Sequence, residues 1–260
     1  MAEPVAAAEA PVAGTRTDKI VIVMPAYNAA RTLEDTFRAI PKGYYDDVVV
    51  VDDHSRDDTL ERARQLNLKA IRHPHNVGYG GNQKTCYMEA LRDGADIVVM
   101  LHPDGQYDPA IIPEMIRPIS EKRADMVLGS RMMLPGGAAR GGMPLWKRIS
   151  NRFLTTAENL AMGRRFSECH TGYRAYSRHF LETVPFLRNS NNFVFDTEVI
   201  FQAVAFGLPV EEVPISTRYF AEASSVGFRT GVVYGLGTLL TALRYVLHRA
   251  GILSCDKFRR

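Results

Sequence analysis

Ile97-Val98-Val99-Met100-Leu101-His102-Pro103-Asp104-Gly105-Gln106 joins five apolar residues to a turn that carries an imidazole, a carboxylate and an amide. The apolar run is short and lacks polar alternation, so it predicts a strand buried on both faces. Strand residues alternate faces, which would put His102, Asp104 and Gln106 on one side as a three-donor arc. The carboxyl end of a parallel strand is where open α/β sheets bind ligands. A divalent cation held there could neutralise a diphosphate. The same residues also suit a plain polar turn after a core strand.

The neighbouring segments extend the pattern. Residues 19–25 form a β-branched apolar run stopped by Pro25, and 48–51 form a second buried strand ending in Asp52-Asp53. Residues 32–40 have helical spacing, with Leu33, Phe37 and Ile40 on one face. Asp57 or Asp58 offers a cap for a helix through about Leu66, Ala70-Ile71 is a short third strand, and another helix runs to about Arg92. All-apolar strands alternating with helices predict a parallel sheet covered on both faces. The C-terminal half is less regular. It holds a strand start at 126–129, a glycine-rich loop at 136–142, helices around 146–162 and 196–206, and a strand at 210–215. No repeat and no linker stands out. The expected organisation is a disordered leader at 1–18, one domain over 19–230 and a helical tail at 231–260.

Composition narrows the function classes. With 260 residues, 46% hydrophobic content and a net charge of +3, the chain is neither disordered nor an extreme polyanion binder. Arg140, Lys147, Arg148, Arg152, Arg164 and Arg165 crowd one segment, and Lys257, Arg259 and Arg260 lie near the end. No nucleic-acid motif accompanies them, so they suit a phosphate-bearing substrate, an anionic membrane surface or a solvated basic face. Cys86, Cys169 and Cys255 are far apart, which argues against a disulfide framework or structural zinc and for a reducing compartment. Residues 1–14 lack the basic start and apolar core of a signal peptide. Residues 231–253 are largely apolar but contain Arg244, His248 and Arg249, so an interfacial or docked amphipathic helix is expected in preference to a spanning one.

Other strand ends also carry chemistry. Pro25-Ala26-Tyr27-Asn28 is no GxGxxG turn, but Tyr27 offers a face for base stacking and Asn28 a paired donor and acceptor. Asp52 and Asp53 can accept an imide N–H or a ribose hydroxyl, whereas Asp57 and Asp58 are assigned to helix capping. Gly78 and Lys84, in Asn76-Val77-Gly78-Tyr79-Gly80-Gly81-Asn82-Gln83-Lys84, could approach a phosphate at a helix entrance.

Eight segments in order resemble family 2 glycosyltransferases of the GT-A fold. They are MPAYNA at 24–29, VVVVDDHSRDDT at 48–59, NVGYGGNQK at 76–84, HPDGQYDP at 102–109, VLGSRM at 127–132, CHTGYRAYS at 169–177, FVFDTEVI at 193–200 and VEEVPISTRYF at 210–220. The likeness is greatest to the polyprenyl- or dolichyl-phosphate sugar synthase branch. It implies an α/β, Rossmann-like, mostly parallel sheet with helices on both faces and a C-terminal amphipathic helix. It further implies that Pro25, Tyr27, Asn28, Asp53 and Asp52 contact a UDP- or GDP-sugar, and that His102, Asp104 and Gln106 hold Mn²⁺ or Mg²⁺. Arg131 and Arg148 fall where phosphate-binding arginines are expected, and an arginine fork binds phosphate bidentately. His102 departs from the family's first acidic ligand. A neutral imidazole lowers the site charge and favours Mn²⁺ over Mg²⁺.

The resemblance implies inverting displacement at the anomeric carbon, with Asp104 and Arg131 supporting the departing diphosphate. A polyprenyl phosphate acceptor is already ionised and needs no base. A saccharide hydroxyl would need one, and Asp196 or Glu198 would supply it, unless both merely charge the first turn of a helix. The arginine pair, the apolar tail and the absence of a Gln-x-x-Arg-Trp motif favour the lipid acceptor. A catalytically silent nucleotide-sugar-binding protein is a third reading. The expected place is the cytoplasm, peripherally on the cytoplasmic face of the membrane, without a nucleic-acid partner.

Overall fold

The computed structural model describes residues 17–218 and 227–259. Nearly all of the expected leader at 1–18, Tyr219 and Phe220 of the last family segment, and Arg260 lie outside the described residues. Seven strands form one sheet in the order β3-β2-β1-β4-β6-β5-β7. Strands β1 (Ile20–Ala26), β2 (Asp47–Asp52), β3 (Lys69–Arg72) and β4 (Ile97–Met100) are parallel, as the apolar runs predict. Pro25 continues β1 instead of stopping it. The pairing of β1 with β4 ends at Val23, so the missing proline N–H breaks no ladder bond on that side.

The second half departs from a simple parallel continuation. Strand β6 (Arg174–Ser177) inserts antiparallel between β4 and β5 (Met126–Ser130), and β7 (Val210–Pro214) runs parallel to β5 at the edge. The Arg174-Ala175-Tyr176-Ser177 segment is too short and too polar to announce a strand, yet all four residues are buried. Helices α1 (Leu33–Arg38), α2 (Thr59–Gln65) and α4 (Ile112–Ser120) cover one face. On the other face lie α3 (Tyr79–Arg92) and α8 (Phe195–Ala205). Each face has its own apolar core, one around Ile22, Val50 and Val99, the other around Val23, Val51, Met100, Phe195 and Phe201. The glycine-rich loop holds the one-turn α5 (Gly137–Arg140), and α7 (Arg178–Thr183) follows β6.

The last helix, α9 (Phe228–Arg249), lies against α6 (Leu145–Met162) and α8. Small residues permit the contact. A Cβ on Gly237 would sit 2.5 Å from a Val194 methyl, and one on Gly231 would meet the Trp146 ring at 3.8 Å. Thr238, Thr241, Ala242 and Tyr245, spaced by three or four, form the buried face. Val233, Leu236, Leu240 and Leu243 form an exposed apolar face. By length and composition residues 229–249 could cross a membrane, but one face is already seated on the domain.

The glycines at the entrance to α3 serve this packing. Gly78 has φ +90° and Gly80 N–H donates to Asn191 O at 2.9 Å. A Cβ on Gly80 would strike Ser190 O and lie 2.7 Å from Phe195 Cβ. The obstacle is backbone, which cannot swing away. Gly80→Ala is therefore expected to lower stability by about 1–3 kcal/mol, measured by urea unfolding.

Candidate active site

The loops that follow β1, β2 and β4 meet at the carboxyl edge of the parallel strands, around a cavity of about 830 Å³. Pro25, Tyr27, Asp53 and Gly78 line one end, and His102, Asp104 and Gln106 line the middle. Tyr27 is half exposed there and presents its ring to solvent. Asp53 organises this end: its carboxylate accepts from Val77 N–H at 2.8 Å and Gly78 N–H at 3.0 Å, and pairs with His73 Nδ1 at 2.9 Å. A carboxylate has about four lone-pair positions, so one remains.

His102, Asp104 and Gln106 all line the cavity, but strand alternation is not what places them there. β4 ends at Met100, and the three follow it in a turn with Gly105 at φ +72°. The imidazole stacks on Tyr79, with centroids 5.4 Å apart, and its Nε2 lies 3.2 Å from Tyr79 Oη. Gly172 makes room for it, because a Cβ there would approach Nε2 to 2.8 Å. Burial lowers the His102 pKa against the pull of Asp104 and Asp196, which favours a neutral imidazole. Imidazole nitrogen, carboxylate oxygen and amide oxygen form a donor set that suits Mn²⁺ and tolerates Mg²⁺ less well. Among the described residues no three His, Cys, Asp or Glu side chains cluster as metal ligands. The expected set of His102, Asp104 and Gln106 holds only two such side chains, the third being an amide.

A sequence model described as Glycosyl transferase family 2 matches residues 21–184, a span that contains this whole arc. The chain belongs to glycosyltransferase family 2. An uncharacterized protein of Methanocaldococcus jannaschii is 33% identical over 222 residues, covering 85% of this chain and 90% of the relative. The UDP-N-acetylglucosamine–dolichyl-phosphate N-acetylglucosaminyltransferase of Methanococcus voltae is 29% identical, covering 84% and 92%. The undecaprenyl-phosphate mannosyltransferase of Micrococcus luteus is 27% identical, covering 76% and 83%. The fold is GT-A. Glucosyl-3-phosphoglycerate synthase of Mycobacterium tuberculosis, crystallised with Mn²⁺, UDP-glucose and phosphoglyceric acid, superposes with a TM-score of 0.67 at 19% identity, covering 92% of this chain and 81% of that one.

In this glycosyltransferase several expected contacts face elsewhere. Asp52 is fully buried and holds the turn through Ser55 N–H at 3.2 Å and Arg72 Nε at 3.3 Å. Asn28 Oδ1 accepts from Arg56 N–H at 2.8 Å, tying two loops together outside the cavity lining. Lys84 donates to Asn189 O and to Asn191 Oδ1, the latter at 2.6 Å, and so serves the loop before α8 instead of a phosphate. Asp58 holds the N-cap position of α2 without a side-chain cap bond, and Asp57 before it accepts from Thr59 N–H at 3.1 Å.

The cationic part of the cavity also differs from expectation. Arg148 is absent from the lining, while its neighbour Lys147 is present. Burial, then the charge of Arg131, lowers the Lys147 pKa. Arg131 reaches the lining, but Glu168 grips it. Nε donates to Glu168 Oε1 at 2.8 Å, its backbone N–H donates to Oε2 at 2.7 Å, and Nη2 contacts both Glu168 and His170 O. Asn151 Nδ2 adds a bond to the same carboxylate at 2.7 Å. Nothing in the sequence singled out Glu168, which lies 37 residues from its partner.

The two candidate bases separate. Asp196 lines the cavity, but its oxygens accept from Tyr79 Oη at 2.7 Å and Gln83 Nε2 at 3.2 Å, and Arg174 Nη1 lies 3.5 Å away. Glu198 is outside the cavity, bonded to Ser190 N–H and Oγ and paired with Lys257. Beyond them, His170 Nδ1 lies 2.6 Å from Tyr234 Oη of α9, and its Nε2 lies 3.1 Å from the buried Glu158.

Glu168 yields a pH signature. Burial raises its pKa, but the Arg131 ion pair and hydrogen bonds outweigh this and hold it below the ordinary 4.5. A depressed acid adds stability above its unfolded pKa and loses it as pH falls through the lower folded value. Glu168→Ala is expected to cost about 3–5 kcal/mol at pH 7, because Arg131 stays buried without its partner. Urea unfolding at pH 7 and pH 3 should show the gap from wild type narrowing in acid.

Proposed function

We propose that this enzyme transfers a sugar, with inversion, from a UDP- or GDP-sugar to a polyprenyl phosphate, working peripherally at the cytoplasmic face of a membrane. The observation that carries this reading is the shape of the cavity. From the Tyr27–Asp53 end it passes the His102–Gln106 arc and Lys147, and it continues to Phe153, Leu154, Leu236 and Leu239 of α6 and α9. A polar nucleotide end, a cationic middle and an apolar end match a donor, a phosphate and an isoprenoid chain.

Tyr27 would stack on the base, and Asp53 would accept a ribose or base proton with its remaining lone pair. Asp104, His102 and Gln106 would hold Mn²⁺ or Mg²⁺, which supplies positive charge against the departing diphosphate. Lys147, with the paired Arg131 in the same lining, would orient the acceptor phosphate. One phosphate oxygen attacks the anomeric carbon as the bond from that carbon to the diphosphate oxygen breaks, and the electron pair leaves with the nucleoside diphosphate. No proton moves, so no base is needed. The bonds that already occupy Asp196, and the distance of Glu198 from the cavity, weigh against a saccharide-hydroxyl acceptor.

The exposed faces of α6 and α9 carry Leu145, Ile149, Phe153, Val233, Leu236 and Leu243, with Arg148, Arg152 and Arg244 on the same two helices. Apolar side chains interleaved with arginines suit an anionic bilayer surface.

Purified protein with Mn²⁺ is expected to release UDP or GDP from its donor only when a polyprenyl phosphate is supplied. Vigorous transfer to a soluble sugar alone would overturn the acceptor assignment. Lys147→Met is expected to lower kcat/KM for the lipid phosphate by roughly tenfold or more, as loss of a charge-assisted contact does, with an unchanged Tm. Separately, Val233→Asp with Leu236→Asp should reduce co-sedimentation with anionic vesicles several-fold while leaving UDP binding intact.

A further inference from the structure

We propose that Tyr79 is a positioning residue that fixes His102 in the Nε2–H tautomer, so that Nδ1 carries the lone pair for the metal. The inference rests on the reading of His102, Asp104 and Gln106 as a metal site, and it assigns the nitrogen, the tautomer and the group that sets them. The geometry admits one consistent pattern of protons. Tyr79 has a single hydroxyl hydrogen, and its Oη lies 2.7 Å from the Asp196 carboxylate and 3.2 Å from His102 Nε2. Asp196 cannot give up its role as acceptor, because Arg174 and Gln83 both face it as donors. The phenol therefore donates to Asp196 and offers only lone pairs to the imidazole. A bare Nε2 would then meet lone pairs, whereas Nε2–H makes a hydrogen bond.

The surroundings hold that edge of the ring in place. Tyr79 stacks on the imidazole at 21° between planes, and Phe193 packs on Tyr79 with centroids 4.6 Å apart. A Cβ at position 172 would come within 2.8 Å of Nε2 and 2.9 Å of Cδ2, so Gly172 leaves that edge of the ring the room it occupies. Among the described residues none hydrogen-bonds Nδ1. A histidine ligand commonly has its second nitrogen bonded to a partner that fixes ring and tautomer. Here the partner is a phenol backed by a carboxylate and a buried guanidinium. An aspartate at position 102 would need no such partner, since either of its oxygens can ligate. The device accompanies the histidine.

Tyr79→Phe keeps the ring stack and removes the hydroxyl. Two readouts test it: long-range ¹H–¹⁵N correlation of the His102 ring in metal-free protein, and Mn²⁺ affinity by electron paramagnetic resonance with UDP present. The wild type is expected to show one Nε2–H species, and Tyr79→Phe a mixture with roughly tenfold weaker Mn²⁺ binding. His102→Asp should bind Mn²⁺, and in that background Tyr79→Phe should change the affinity less than twofold. A Tyr79→Phe protein with an unaltered tautomer and affinity overturns the proposal, as does an equal loss in the His102→Asp background, which marks a general structural role. Wild-type protein that shows the Nε2–H species but binds no Mn²⁺ overturns the metal reading beneath it and leaves the tautomer assignment standing.

Discussion

Arg174 is fully buried, and a guanidinium stays charged at any physiological pH. A buried charge without partners is very costly, so the surrounding chain must satisfy it. Nε donates to Thr171 O at 2.9 Å, Nη2 to Cys169 O at 3.3 Å and Nη1 to Asp196 O at 2.8 Å, and the Asp196 carboxylate supplies the counter-charge. These bonds draw together the loop before β6 and the first turn of α8. Asp196 then anchors Tyr79 and Gln83 at the start of α3, which ties the β3–α3 loop to the rest of the cavity. The antiparallel strand β6 is thus more than an interruption of the parallel sheet. It places one buried cation beneath the active site, and three loops are arranged around it.

Acidic residues at strand ends invite a single interpretation, but their environments divide them. Asp52 and Glu198 are sequestered by backbone N–H groups and cations, and each holds a turn or a terminus. Asp53 and Asp196 border the cavity while most of their lone pairs serve the scaffold. Asp104 differs, with one oxygen accepting from Gln106 N–H at 3.0 Å and its side chain partly exposed along the cavity wall. Among these carboxylates that border the cavity, Asp104 has the fewest bonds to the scaffold, which is why it is the one proposed as a ligand. Sequence spacing does not encode that property.

The parallel half of the fold was legible because β1, β2 and β4 are apolar runs at a regular interval, while β3 shows only Ala70-Ile71 between two charged residues. That Pro25, Tyr27, Asp53, His102, Asp104 and Gln106 line the cavity was legible for the same reason: they lie at or just past the ends of those strands. Strand β6 was hidden because its four residues include Arg174 and Ser177, and it is buried only through the long-range pairing that β4 and β5 provide. Glu168 and Tyr79 were hidden because their partners lie 37 and 117 residues away in the chain. Lys84 and Arg148 were misplaced for a simpler cause. A helix turns 100° per residue, so a cation one or two positions from a lining residue points elsewhere, as Arg148 after Lys147 and Lys84 after Asn82 illustrate.

Helix α9 imposes a last constraint that joins the proposed membrane surface to the chemistry. Its buried face is built from residues small enough for close approach, and Tyr234 on that face reaches His170, beside Arg131. Thr238 Oγ1 lies 3.2 Å from Thr197 Oγ1, next to Asp196. The outer face of the same helix is apolar and exposed. Leaving the domain to span a bilayer would strip Thr238, Thr241 and Tyr245 of their packing and open the wall that Leu236 and Leu239 provide. A peripheral position keeps both faces occupied. Under the proposed reading, the isoprenoid chain would then enter between α6 and α9 at the height of the membrane surface, with its phosphate stopping where Lys147 and Arg131 begin.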